Sequence, residues 1–150
     1  MLKGIDRLLH AELLCVLCAM GHGDEIVIAD SNFPADSVAS STRIGKPLRL
    51  EGVGIGQAIQ SVLSVFPLDT FVATPVLRME VVGDPAKIPV IHQEVQAVIN
   101  ASEGRDAPMG ALERMAFYER AKTAYCIVAT GEQRFYGCFI LKKGVLPEPA

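Results

Sequence analysis

The chain has 150 residues, half of them hydrophobic, and a formal net charge of −3 with no basic block or acidic tail. One domain of this length buries roughly 70% of the surface its unfolded chain exposes, so it needs no disulfide framework or structural metal to fold. The charge balance argues against nucleic acid or an anionic membrane as main partner, and no apolar run reaches the ~18 residues of a membrane span.

The first predicted element is a helix over 5–20, where Leu9, Leu13, Leu17 and Met20 recur at helical spacing and Gly21 is a fitting stop at which φ is often positive. Cys15 and Cys18 form a C-x-x-C inside it, without a second ligand pair at zinc spacing, and buried helix packing accounts for them. The run "EIVIA", 25–29, reads as a buried strand, and "SNFPADS", 31–37, as loop around Pro34. "GVGIGQ" follows a poor strand, "PLRLE", and opens a helix over 52–66. It departs from a dinucleotide fingerprint at Gln57 and reads as a flexible turn. A strand over 76–82, a helix over 88–101, a loop over 102–110 and a helix over 111–124 come next. Two apolar runs, 125–131 and 135–142, lie close enough to pair as an antiparallel hairpin. Alternating β and α segments with that hairpin predict a single-domain, three-layer α/β fold with a mixed sheet. Asp6 and Arg7 interrupt the N-terminal segment where a signal peptide would need an apolar core. A cytoplasmic protein with reduced cysteines is therefore expected. The high apolar fraction suggests that other subunits cover part of the surface.

Several residue types point to proton transfer on a polar, uncharged ligand. His22 sits between two glycines in "MGHGDEIVIAD", and imidazole exchanges protons near neutrality. It is equally readable as a solvated loop histidine. Asp30 ends a strand, where ligands gather in α/β folds and a carboxylate can accept from sugar hydroxyls; an Asx turn is the plainer alternative. Arg114 and Tyr118 in "RMAFYERA" are four apart and share one helical face, while Glu119 and Arg120 fit a solvated one. In "FYGCF" strand alternation puts Tyr136 and Cys138 on one side and Gly137 on the other. Asp24 and Glu25 read as turn residues, and His10 and His92 as helix surface or packing residues. No Walker motif, H-E-x-x-H or nucleophile elbow is present.

The segments "MGHGDEIVIADSNFP", "RMAFYERA", "ATGE" and "YGCFILKKG" together resemble the RbsD/FucU family over nearly the whole chain, and "FYERA…ATGE" resembles its fucose branch. The resemblance implies a sugar mutarotase that needs no cofactor or metal. It assigns the proton donor to His22 and substrate contacts to Asp30, Arg114, Tyr136, Gly137 and Cys138; Tyr118, on the same helical face as Arg114, is a further candidate outside that assignment. Cys138 stands where the family commonly has Asn. The resemblance also implies a decameric toroid with sites between neighbouring subunits. Alternatives are a ribose-type pyranase and a non-catalytic sugar-binding accessory of transport. If 25–30 is fully extended, His22 and Asp30 share one sugar only when the glycine loop doubles back or the two serve different subunits' sites.

Overall fold

The computed structural model describes residues 2–148. Six strands form one sheet: β1 (Glu25–Ala29), β2 (Leu48–Leu50), β3 (Val76–Met79), β4 (Met109–Leu112), β5 (Cys126–Thr130) and β6 (Phe139–Lys142), in the order β2-β5-β1-β6-β3-β4. β1 pairs parallel with β5, and β5 with β2; β3 pairs parallel with β4. β6 runs antiparallel to both β1 and β3 and joins these two parallel halves. The carboxyl ends of five strands and the amino end of β6 therefore meet at one rim. That geometry positions the site.

The helices are α1 (Ala11–Ala19), α2 (Ala35–Ala39), α3 (Ile55–Leu63), α4 (Val90–Glu103) and α5 (Arg114–Lys122). β1 and β5 are buried on both faces, as continuous apolar runs in a doubly covered sheet must be. Ile26 and Ile28 pack with Leu13 of α1, Ile59 of α3 and Val95 of α4. Val27 and Ala29 point the other way, into a second cluster with Val38 of α2 and Phe117 of α5. Two cores, one on each side of a mixed sheet, give the expected three-layer α/β arrangement.

The structure corrects the sequence reading in several places. The hairpin does not form: β5 and β6 are opposite in direction, but β1 lies between them. Both strands are mostly apolar and lack a two-residue turn of the Asn-Gly kind between them, and residues 131–138 pass over the rim instead. Tyr136 is not in a strand but has φ +64°, so strand alternation does not govern 135–138. The first helix begins only at Ala11, where His10 Nδ1 accepts from the Leu13 N–H, while an Asp6 turn shapes the residues before it. Gly23, not Gly21, takes the positive φ. Cys15 and Cys18 face outward. α2 follows Pro34 directly, and the short edge strand β4 occupies ground expected to be loop and helix. Glu25 lies in β1 and pairs with Arg120 at 2.7 Å, so neither is a turn or a free surface residue. The start of α3 is already served by an internal anion: Glu132 Oε2 accepts from the Ile55 N–H at 3.3 Å, where a cofactor phosphate would sit.

Candidate functional site

A cavity of about 320 Å³ opens at the rim, at the lower end of the range for small-ligand sites. Each wall comes from the end of a different element. Asp30 leaves β1, Phe33 follows in the loop to α2, and Met79 ends β3. Arg114 and Tyr118 face it from the first turns of α5, four residues apart, as their spacing predicts. Phe135, Tyr136 and Cys138 come from the segment entering β6. Because β6 runs against the other strands, its upstream segment reaches the same rim as their downstream loops.

Asp30 is the polar centre of this cavity and is itself buried. Its Oδ1 accepts from the Asn32 N–H at 3.0 Å, an Asx turn. Its Oδ2 accepts from the Gly137 N–H at 3.0 Å and faces the Cys138 thiol at 3.4 Å. The Asx turn thus engages Oδ1, while Oδ2 is turned to Gly137 and Cys138 at the cavity wall. Gly137 is not among the residues lining the cavity; it stands behind Asp30, where a Cβ would be crowded at 3.1–3.3 Å by Glu132, Ile91 and Asp30. Burial, then the neighbouring Asp30, pushes the Cys138 thiol well above its ordinary value, so it acts as a neutral donor. Tyr118 is also raised, chiefly by burial, and stays a phenol. The Tyr136 hydroxyl accepts from the Val82 N–H at 3.2 Å.

His22 does not line this cavity. It lies before β1, at the opposite rim, where the Gly23 N–H donates to the Lys143 carbonyl at the end of β6. The five-residue β1 alone separates the two rims by about 17 Å at the usual rise per residue, so the glycine loop does not bring His22 back to Asp30 within one chain. Its Nε2 meets Asp69 Oδ1 at 3.2 Å. Asp69 is buried, and the Phe71 N–H at 2.9 Å holds its carboxyl below the ordinary value, with His22 adding to the effect. The His22 side chain is 45% exposed and lies 5.4 Å from the Phe71 ring. Nothing in the local sequence signals Asp69, since it lies 47 residues away and meets His22 only through the pairing of Leu68 with Lys143.

Other hollows offer less chemistry. One of about 630 Å³ lies beside Arg120, Lys142 and Glu25, but these charges already pair with each other. Among the described residues no group of three or more His, Cys, Asp or Glu side chains could hold a metal ion. No helix of the described residues is long and apolar enough to cross a membrane.

Comparison with known proteins agrees with this architecture. Residues 3–146 match the family model of the RbsD / FucU transport protein family. The chain is 45% identical over 150 residues to the fucose mutarotase of Bos taurus, covering 97% of this chain and 94% of that protein. It is 41% identical over 147 residues to the L-fucose mutarotase of Actinobacillus pleuropneumoniae, covering 98% and 99%. The crystal structure of a Streptococcus pneumoniae fucose mutarotase in complex with L-fucose superposes with a TM-score of 0.86 at 41% identity, over 97% of this chain and 100% of that one. By full-length sequence match and by fold, the chain belongs to the RbsD/FucU family.

Proposed function

We propose that the protein is a cytoplasmic sugar mutarotase that interconverts the α and β anomers of L-fucose or a related aldose without a cofactor. The observation that carries this reading is the rim cavity. A buried carboxylate, a guanidinium and two phenols line it together with apolar rings, in a chain 41–45% identical to proteins named fucose mutarotases. Such a set suits hydroxyl groups flanked by apolar ring faces.

In the proposed reaction Asp30 accepts from sugar hydroxyls and fixes the ring's orientation. Arg114 donates to ring or hydroxyl oxygens, and Tyr136 and Tyr118 bond through their hydroxyls while their rings pack on the sugar. Cys138, its one S–H turned to Asp30, offers the sugar only a weak sulfur contact in place of a carboxamide. Gly137 supports Asp30 from behind. His22 is the acid–base group. With Nε2 turned to Asp69, Nδ1 is the nitrogen open to a substrate. As the bond between C1 and the ring oxygen breaks, that oxygen takes a proton from His22 and the anomeric hydroxyl gives one to water, leaving an open-chain aldehyde. Rotation about C1–C2 presents the other carbonyl face, and the steps reverse, returning the proton to His22. One such positioned group contributes ~10²–10⁴-fold.

His22 and the Asp30 cavity lie at opposite rims, so a complete site needs two copies, the histidine rim of one against the cavity of the next. Each rim exposes a large aromatic, Phe71 at 74% and Phe135 at 73%, suited to such a contact. Head-to-tail contacts close into rings where the rotation between copies permits, and the resemblance to the family implies a homodecamer.

The test is saturation-transfer NMR on an aldose panel. Exchange between α- and β-L-fucose is expected for the wild type and is lost in His22→Ala, which keeps its fold and binds sugar. Mixing His22→Ala with Asp30→Asn should restore activity through hybrid assemblies. Undiminished exchange in His22→Ala removes the histidine from the mechanism. Binding without exchange in the wild type makes the protein a sugar-binding accessory instead.

A further inference from the structure

Among the described residues Tyr136 is the only non-glycine with positive φ, a conformation that side-chain-bearing residues adopt rarely. The peptide unit joining it to Gly137 is held from both sides. Its N–H donates to Asp30 Oδ2 at 3.0 Å, and its carbonyl accepts from His92 Nε2 at 2.9 Å. His92 projects from α4 on the other side of the sheet, is 0% exposed, and packs edge-on against Phe139 with ring centroids 5.5 Å apart.

A carbonyl can only accept, so Nε2 must carry the proton. Nδ1 is then a bare lone pair, buried and without a partner among the described residues. Burial, with Arg78 nearby, lowers the imidazole's pKa and keeps it neutral. Leaving a buried nitrogen unsatisfied is costly, and a phenylalanine would fill the same volume without that cost. What the histidine adds is one hydrogen bond to one peptide.

We infer that His92 is a positioning residue of the sugar site, which fixes the Tyr136–Gly137 peptide from behind the sheet so that its N–H is aimed at Asp30 and the tyrosine ring stands in the cavity wall. Gly137 lacks a Cβ, so this peptide could otherwise turn over about its Cα–Cα axis at little steric cost. It would then present a carbonyl oxygen to the Asp30 carboxylate, and Asp30 would lose its support. No histidine–carboxylate contact is involved; the influence passes through a backbone unit.

The inference rests on the mutarotase reading for its kinetic consequence but not for its structural one, and the two are tested separately. Solid-state NMR on full-length protein labelled with 15N-histidine and 15N-glycine should show His92 in the Nε2–H form and a strongly hydrogen-bonded Gly137 amide. His92→Phe keeps volume without a donor, and His92→Gln keeps a donor. In His92→Phe the Gly137 amide signal should move and KM for L-fucose exchange should rise about tenfold, the worth of one lost hydrogen bond, with kcat changed far less. His92→Gln should recover most of both. An Nδ1–H tautomer in the wild type overturns the inference even if no variant folds. So does an unmoved Gly137 amide in His92→Phe, or a folded His92→Gln that behaves like His92→Phe. Absence of any fucose exchange in the wild type would count against the enzymatic reading alone, since the NMR signals still decide the role of His92.

Discussion

Gly137→Ala probes the support behind Asp30 most directly. A Cβ at this position would lie 3.1 Å from Glu132 Cγ, 3.1 Å from Ile91 Cδ1 and 3.3 Å from Asp30 Cβ, short of the 3.4 Å at which ordinary contact begins. φ at Gly137 is not in the left-handed region, so the effect is steric only. The Ile91 methyl is a side-chain end and can turn aside. Glu132 cannot, because it accepts from Arg134 at 2.9 Å and from the Ile55 N–H. Asp30 is held by Asn32 N–H and gives way only by leaving its place in the cavity. Overpacking by one methyl costs about 1–3 kcal/mol, and shortfalls of a few tenths of an ångström put this case near ~1 kcal/mol. The functional loss should be larger than the stability loss suggests. A 1 Å misplacement can cost ~10²-fold, so a shift of tenths should cost about tenfold in sugar exchange. Urea unfolding and saturation-transfer NMR on the same sample separate the two. A variant with wild-type stability and exchange would show that the wall behind Asp30 yields freely, and the account of Gly137 would be wrong.

Asp69→Asn keeps an acceptor for the Phe71 N–H but removes the charge facing His22. We expect exchange to fall by about 10–100-fold with little change in thermal midpoint, because the histidine loses the carboxylate that orients its ring through Nε2; exchange equal to wild type would remove Asp69 from the scheme. Glu132 is held at about 2, against an ordinary 4.5, first by Arg134, and Glu25 is also lowered because Arg120 and Lys142 together outweigh its burial. A depressed carboxyl stabilises the fold fully above its unfolded pKa, so stability should hold above about pH 4.5 and decline as the pH falls toward 2. Glu132→Gln should flatten that decline in acid-titrated unfolding, and an unchanged acid limb would contradict the assignment. Burial pushes the Cys126 thiol up to about 12 and Cys138 also well upward. In a thiol-reagent titration at neutral pH both should therefore react only on unfolding, in contrast to the outward-facing Cys15 and Cys18; rapid modification of Cys138 would show that the cavity wall opens.

Much of the fold was legible because burial dominates its signal. "EIVIA" reads as a buried strand and is one, covered on both faces, and Leu13 and Leu17 lie on the buried side of α1, although Leu9, at the same spacing, falls before the helix starts. The elements that escaped are those whose identity is decided by partners. β4 contains Gly110, is half-buried, and exists because β3 lies beside it. The hairpin expectation failed for the related reason that sequence proximity of two apolar runs says nothing about a third strand inserting between them. At the site, residues contributed by strand ends and by one helical face were readable one at a time. Asp69, Glu132 and His92 were not, since each acts across the sheet or across a rim. His92 in particular has the periodicity of an ordinary packing residue, and only the conformation of Tyr136 gives it meaning.

β6 also sets the order in which this protein can finish folding. Until that segment is in place, β1 and β3 each present an open, hydrogen-bond-hungry margin, and no strand pairing joins the two parallel portions. A nascent chain stalled before residue 139 would carry both margins bare, the kind of surface that recruits wrong partners. The strand whose entrance builds the cavity wall is thus also the one that covers both margins, so a molecule with its cavity complete has no bare edge at β1 or β3.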